Sequence, residues 1–498
     1  MWRSLRLLLA SLPLAACATM GATARSYVTT SDGLLMDDAR VRQLLAAERP
    51  LQALTAVRDR HSHLSPDDQL LRTLYEATAA RYAGQPREAG QLFDKAFALS
   101  EDRFTKSVTR TATALLTNDL ALPYTAGWSE RLLIHYNAML AWSAAGDRDA
   151  AAVEARRLVA LLGRIAPPEP GERPVRAMLH AIAGAAFAAA GEPQDALVAY
   201  RNAASLGAPV DTVATAVPAD SGDVLVAVER GFVAHKVAVG LTLPIFSNES
   251  PQDWDGRFGA RAVSDRLLLD FGSLRNGGIW WDDVPSWRFG GNRLWIGSNR
   301  VSYVLDMSWP VMRRARPLPL VAPRVDATNA TGAALVTADI SEALAGDYRR
   351  DRGAIMSRTL ARAAAKYVAT EAAEAAAKSA AKPRKKGKKG DDDDLGWRVF
   401  AGVVGALANG AAMYLERADT RAWSLLPGQV TLVRVRMPAG THDVRVRVGD
   451  AVAVAPAVPV AAGRTTLASV RIWRERAGDA LLTGGAVVGR PAVVTDAP

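Results

Sequence analysis

A glycine followed at fixed offsets by small and aromatic residues recurs within the first 210 residues of this chain. The copies are Gly84 with Ala89, Phe93 and Ala96; Gly191 with Ala196, Tyr200 and Ala203; and, less regularly, Gly146 with Ala151, Ala155 and Leu158. Glycine ends a helix by adopting left-handed backbone, and proline suits the first turn of the next helix, where Pro86 and Pro193 stand. Alanine then lets two helices approach closely. The spacing predicts antiparallel helical hairpins.

This spacing resembles the tetratricopeptide-type helical hairpin, which recurs about every 34 residues in tandem arrays. Here the glycines lie 62 and 45 residues apart, so the expected array is irregular, and another helix pair fits between Gly84 and Gly146. A proline-rich run at 167–171 interrupts the next unit. We expect helical hairpins over residues 34–210, and a plain helical bundle is the alternative.

The hydrophobic period changes near residue 210. Apolar runs at 224–231 and 237–246 predict strands, and residues 254–309 contain six of the twelve tryptophans. Residues 211–345 are therefore expected to be β-rich and Trp-rich. A hydrophobic core is the usual destination of tryptophan, and a tryptophan-lined groove for a sugar or peptide is the alternative.

The remaining chain predicts two helices within 346–418, interrupted by a charged, disordered loop at 382–395. The apolar segment 397–415 favours a buried helix, because it is short for a membrane span and made mostly of small residues. Residues 419–477 predict a β-hairpin region that pairs with 211–345, with strands at 433–437 and 443–448. Residues 478–498 form a tail. The fold class is therefore α+β: a TPR-like helical-hairpin domain followed by a mixed α/β domain.

Two charged patterns are candidate sites. Arg358, Arg362 and Lys366 are four residues apart, so they share one helix face and form a candidate surface for an anion or a partner. The alternative is a solvated helix face. Asp419, Arg421 and Trp423 share one side of an extended segment. They are interpreted as a structural latch between helix and hairpin, in preference to a binding site.

The N-terminus has the pattern of a secretory signal peptide over residues 1–16, with Arg3 and Arg6 before an apolar run that is too short to span a bilayer. The run ends in Leu14-Ala15-Ala16-Cys17, and Cys17 is the only cysteine. This sequence resembles the lipobox of bacterial lipoproteins, which implies cleavage before Cys17, lipidation of Cys17 and a flexible tether over 17–33. Ala18, in place of aspartate, implies sorting to the outer membrane. A free buried cysteine is the alternative.

The order of these parts resembles a family of bacterial lipoproteins with no characterised activity. The residues that carry the resemblance are Leu14 to Cys17, Gly146-Asp147 with 153–157, Arg358 with Arg362 and Lys366, and Asp419, Arg421, Trp423, Leu426 and Pro427. The family implies a lipid-anchored protein of the cell envelope. It supplies no catalytic residue.

The sequence contains few motifs that are typical of catalytic or metal-binding sites. The six histidines form no zincin-type pair, and neither a Gly-x-Ser-x-Gly elbow nor a phosphate-binding loop occurs. His61 and His63 are interpreted as surface residues. Asp270 and Asp282-Asp283 near the tryptophans leave glycoside hydrolysis open as an alternative. The sequence therefore predicts no metal, no cofactor and no catalytic residue.

Net charge indicates the class of partner. It is +10, or +8 without Arg3 and Arg6, which favours anionic lipid headgroups or an envelope polymer over nucleic acid for an exported chain. A solvated basic surface without a ligand is the alternative. We expect a non-catalytic scaffold, lipid-anchored to the outer membrane and facing the periplasm, whose concave helical surface binds a protein or peptide. The alternatives are a carbohydrate-binding or glycan-hydrolysing protein using 254–309, and a subunit of an envelope assembly or export system.

Overall fold

The computed structural model confirms an α+β chain, with helical hairpins first and strands with one long helix after them. The residues it describes are 36–61, 68–106, 122–209, 217, 220–246, 287–290, 293–296, 299–313, 323–327, 330–380, 418–473 and 486–487. All structural statements below concern these residues.

Four antiparallel helical hairpins occupy the described part of residues 36–205. They are α1 Met36–Ala46 with α2 Pro50–His61, α3 Gln69–Tyr82 with α4 Pro86–Lys106, α5 Trp128–Ala144 with α6 Arg148–Leu162, and α7 Arg173–Ala190 with α8 Pro193–Ser205. Consecutive helices pack against one another along the chain. Between Gly84 and Gly146 the described helices are α4 and α5, and residues 107–121 lie outside the description.

The predicted glycine turns are confirmed. Gly84, Gly146 and Gly191 have φ of 75°, 80° and 82°, the left-handed backbone that joins α3 to α4, α5 to α6 and α7 to α8. Eight of the nine residues that follow the glycines in the motif are at most 2% exposed: Ala89, Phe93, Ala96, Ala151, Ala155, Leu158, Ala196 and Ala203. The repeat pattern therefore marks the contact between the two helices of each hairpin.

Strands and one long helix form the second half. The strands are β1 Ser221–Arg230, β2 His235–Phe246, β3 Trp287–Gly290, β4 Arg293–Ile296, β5 Asn299–Arg313, β6 Arg324–Ala327, β7 Ala330–Thr331, β8 Ala333–Asp339, β9 Gln429–Pro438, β10 Gly440–Val448, β11 Ala451–Val460, β12 Thr465–Ile472 and β13 Ala486–Val487; the helix is α9 Ile340–Ala380. They make three sheets: β13-β12-β1-β9-β8, β11-β10-β6-β7 and β2-β5-β4-β3.

The first two sheets stack face to face, and the first also covers the helices. On β1, Val224, Val226 and Val228 pack against the second sheet, whereas Leu225 and Ala227 belong to the core shared with the helices. The result is four layers: outer helices, inner helices, first sheet and second sheet. Because β1 is buried on both faces, it has a continuous apolar sequence rather than an alternating one.

The hairpin predicted for 433–448 does not form. β9 pairs with β1 and β8, whereas β10 pairs with β11 and β6, so the chain changes sheets between Pro438 and Gly440. Both strands carry a row of valines on one face, and stacking the sheets buries both rows together. The alternation of apolar and polar residues is the same whether two strands lie in stacked sheets or pair side by side in one sheet, so it does not distinguish the two arrangements. The hairpin that does form joins β10 to β11 across Gly449-Asp450.

Helix α9 begins directly after β8, where Asp339 accepts hydrogen bonds from the backbone N–H groups of Ser341 and Glu342. It contacts α5 near its start and packs against β5 farther along. The helix thus begins at Ile340, earlier than the predicted boundary at 346. The expected charged loop at 382–395 and helix at 397–415 lie outside the described residues. Of the helices described, none combines the length and apolar character that crossing a membrane requires.

Replacing Gly84 or Gly191 with alanine is expected to lower the free energy of unfolding by about 1–2 kcal/mol, because left-handed backbone strains a residue with a Cβ. A Cβ added at either position would meet no atom within 4 Å beyond its neighbours in the chain, so the expected loss of stability comes from backbone strain and not from a steric clash. Gly353→Ala in α9 is the control, since that site is equally open but helical. It should raise stability by up to about 1 kcal/mol. Equal effects in urea unfolding at all three sites would contradict the expectation.

Candidate functional site

The inner face, formed by α1, α3, α5 and α7 where they turn towards the first sheet, is the concave surface expected to bind a partner. Helices α3, α5 and α7 are buried along most of their length. Strand β12 packs against α5 and α7, and β8 packs against α7. The chain's own sheet therefore covers the surface that the sequence assigned to a partner.

A segment without helix or strand, residues 418–428, lies against the N-terminal end of the inner face and turns at residues 424–426. Tyr75 Oη lies 2.6 Å from Ser424 Oγ and donates to the carbonyl of Ala422 at 3.2 Å. The guanidinium of Arg42 donates to the carbonyl of Ser424 at 2.6 Å, and Glu130 accepts from the backbone N–H of Trp423 at 3.2 Å. Side chains from α1, α3 and α5 thus bind the main chain of this segment, as a groove binds a peptide.

Trp423 anchors the segment. Its side chain is fully buried, and its Nε1–H donates to Thr78 Oγ1 at 2.9 Å. Its ring centroid is 6.1 Å from that of Phe93, the aromatic residue of the first glycine motif. The aromatic position of the repeat therefore contributes to the groove that holds the segment.

Arg421 joins the segment to the helical half through charge. It forms ion pairs with Asp68 at 2.7 Å and Asp419 at 2.8 Å, and donates to the carbonyl of Leu122 at 2.9 Å. Burial by itself would raise the pKa of Asp419, but the charge and hydrogen bonds of Arg421 outweigh burial and lower that pKa. The sequence brought Asp419, Arg421 and Trp423 together; it contained no signal for Asp68 or Thr78. Their action as a latch stays a prediction.

A buried carboxylate occupies the junction of β1 with α3 and α5. Glu229 is fully buried and forms an ion pair with Arg81 at 2.5 Å. It also accepts from the hydroxyls of Tyr82 at 3.1 Å and Tyr136 at 3.0 Å. Burial, reinforced in Tyr136 by the charge of Glu229, raises the pKa of both tyrosines, so they remain donors at neutral pH. This group is termed the Glu229 cluster.

Arg471 on β12 lies beside the Glu229 cluster. Its guanidinium is 4.3 Å from the ring centroid of Trp473 and 5.4 Å from that of Tyr82, and it donates to the carbonyl of Gly231. Sequence reasoning missed all of these residues. The available signal was Glu229-Arg230 at the end of an otherwise apolar strand, because a charge in such a strand requires a partner.

The candidate anion surface on α9 is not continuous. Arg362 is 1% exposed, and its neighbour Ala363 packs with Met307 and Trp309 of β5. The side of α9 that carries Arg362 therefore faces the third sheet, and a bulky polymer cannot reach that guanidinium. Arg358 is half-buried, and the side chain of Lys366 lies outside the description. Helix α9 is therefore covered at Arg362, and a surface for an anion or a partner on this helix stays a prediction.

The Trp-rich region is described in part. Trp309 is buried against α9, where it contributes to a core rather than to a groove. Trp287 and Trp295 lie on β3 and β4, with only their backbone described, and Trp254, Trp280 and Trp281 lie outside. Among the described side chains, no three histidine, cysteine, aspartate or glutamate residues gather as metal ligands do. The described part of this region thus adds no tryptophan to an open cleft.

Comparison with known proteins gives no family. Neither a protein-family model nor a curated protein matches the chain. A Podosopora anserina kinesin light chain with nearly identical TPR-like repeats matches at 17% identity, covering 34% of this chain and 72% of its own, with a TM-score of 0.25. MamA (MSR-1, C2) matches at 15% identity over 34% of this chain and 94% of its own, with a TM-score of 0.15. These scores are low, so the hairpin assignment rests on the glycine turns and helix pairing.

Proposed function

We propose that this protein is a non-catalytic scaffold of the bacterial cell envelope, lipid-anchored to the outer membrane and facing the periplasm. The helical hairpins would bind a protein partner through their outer helices, α2, α4, α6 and α8. The observation that carries the proposal is the occupied inner face. Because the chain fills its own groove, the helical surface left for another protein is the opposite one.

The outer helices carry apolar side chains in contact with solvent. Leu51 on α2 is 61% exposed, Val198 on α8 is 52% exposed, and Val153 on α6 is 39% exposed. Protein interfaces are built from apolar groups ringed by polar ones. Arg156 and Arg157 beside Val153 provide such polar neighbours, since both are exposed on the same helix.

The anchor is proposed from the N-terminal pattern that ends at Cys17. With lipid on Cys17, the scaffold would remain close to the membrane, which raises its effective concentration there. We expect the unchanged chain to incorporate labelled palmitate and to fractionate with outer membranes. Cys17→Ser should release the chain into the soluble fraction. Absence of label from the unchanged chain, or fractionation of Cys17→Ser with membranes that have been washed in salt at about 1 M to screen charge, would contradict the anchor.

The partner surface is tested by photo-crosslinking in cells. A photoreactive residue at Val198 or Leu51 is expected to give discrete crosslinks to one partner, and the additional changes Arg156→Glu and Arg157→Glu should weaken them. The control is the same residue at Asp450, which is exposed in the turn between β10 and β11, away from the helices. Identical products from all positions would indicate non-specific collisions and argue against a scaffold surface on the outer helices.

A further inference from the structure

The outward face of the second sheet carries three arginines. Arg324 on β6 lies directly opposite Arg447 on β10, and Arg445 lies two residues along the same strand. Residues opposite one another share a face, and so do residues two apart. All three arginines are exposed, and together they are termed the arginine face.

Acidic side chains do not neutralise the arginine face. In the part of the chain that the structure describes, none of the three arginines forms an ion pair, although Asp326 stands opposite Arg445 in the register. The adjoining first sheet differs: Arg434 and Arg436 both form ion pairs with the buried Asp223. The arginine face is therefore a local excess of positive charge, reduced by Asp326 and by the exposed Asp443, which lies two residues before Arg445 on β10.

The side chains of the three arginines cannot point into the core between the sheets. Their neighbours along the strands, Val325, Val446 and Val448, fill the core between the two sheets. Like charges directly opposite on antiparallel strands destabilise a sheet. An anion shared by Arg324 and Arg447 would remove that repulsion. The isolated protein thus carries a repulsion that binding of negative charge relieves.

We propose that the arginine face docks on an anionic phospholipid surface. Arg447 lies opposite Val452 of β11, and Arg445 opposite Val454. Val452 is 43% exposed, so guanidinium and apolar groups stand side by side on one face of the sheet. That combination matches a membrane interface, where phosphates border the acyl chains. The choice of lipid over an acidic protein rests on the proposed function, because an anchor at Cys17 keeps the chain beside a membrane.

The proposal is tested with the unlipidated mature chain, beginning at Ala18, so that the result does not depend on lipidation. Its partitioning is measured on vesicles of phosphatidylcholine alone and of phosphatidylcholine with phosphatidylglycerol. Each arginine near an anionic surface strengthens partitioning by a factor of about five. We therefore expect Arg324→Gln, Arg445→Gln and Arg447→Gln together to lower partitioning on the anionic vesicles at least about tenfold. Salt at about 1 M, where the Debye length is about 3 Å, should abolish it.

A second triple variant removes the same charge from the helical half. Arg40, Arg87 and Arg201 are exposed, and changing them to glutamine should leave vesicle binding within about twofold. Equal losses in both triple variants would show that net charge alone acts and would overturn the proposal. So would unchanged binding by the sheet variant. Binding of an oligo-aspartate peptide at this face, without binding of vesicles, would also overturn it and assign the face to an acidic protein segment.

Discussion

Glu229→Ala is expected to lower the free energy of unfolding by about 3–5 kcal/mol, because it leaves the charge of Arg81 buried without its counter-ion. It also removes the acceptor of the hydroxyls of Tyr82 and Tyr136. The change is measured by urea unfolding followed by circular dichroism. An equally large effect is expected from Arg81→Ala, since either replacement leaves one charge alone.

Two further variants separate this cause from loss of packing. Arg81→Met with Glu229→Leu removes both charges and keeps apolar volume, so it should be much less destabilising than either single alanine variant. Glu192→Ala breaks the surface ion pair with Arg156, in which the side chains are 29% and 51% exposed. It should cost no more than about 1 kcal/mol. A double variant as unstable as Glu229→Ala would mean that packing, not charge, governs this junction.

Trp423→Ala is expected to destabilise the chain by about 3–5 kcal/mol, the cost of emptying a large buried aromatic site. The cavity would open between the helical half and segment 418–428, which packs against it. Unfolding by urea should begin at lower concentration, and trypsin should cut the native chain faster. The latch predicted from the sequence requires both changes.

The tryptophan also has matched controls. Trp423→Phe keeps a ring beside Phe93 but loses the Nε1–H donor, so it should cost about 1–3 kcal/mol through the unsatisfied groups. Thr78→Val removes the acceptor of the same hydrogen bond and should show a loss of similar size. A loss below about 1 kcal/mol for Trp423→Ala would show that the segment is not anchored through this residue.

The helical half was predictable because its signals are local. Each of the three glycines stands a few residues before the alanines and aromatic residues that its turn brings into contact, so spacing alone identifies the hairpins. The long helix after β8 was also predicted, although from residue 346 rather than from Ile340, where the structure begins it. Side-chain periodicity likewise identified β1, β2 and β9 as strands.

The candidate site was less predictable, since its parts are distant in sequence. Asp419 and Arg421 pair across two residues, and that contact follows from extended geometry. Asp68 pairs with Arg421 across 353 residues, and Trp423 bonds Thr78 across 345. No periodicity relates such positions. Arg362 is a second example of this limit of sequence analysis. Its four-residue spacing from Arg358 indicates a shared helix face, but it does not indicate what packs against that face.

Local backbone and side-chain preferences thus account for the helical hairpins and the strands, because each depends on residues close in the chain. Tertiary packing decided that the inner helices are covered by the chain's own sheet and segment 418–428, and that β9 and β10 enter different sheets. It also left the arginine face exposed. The physical reason is that an apolar surface needs to be buried and a charged group needs a partner, but the sequence offers several segments that could fill either role. Only packing in three dimensions selects one of them.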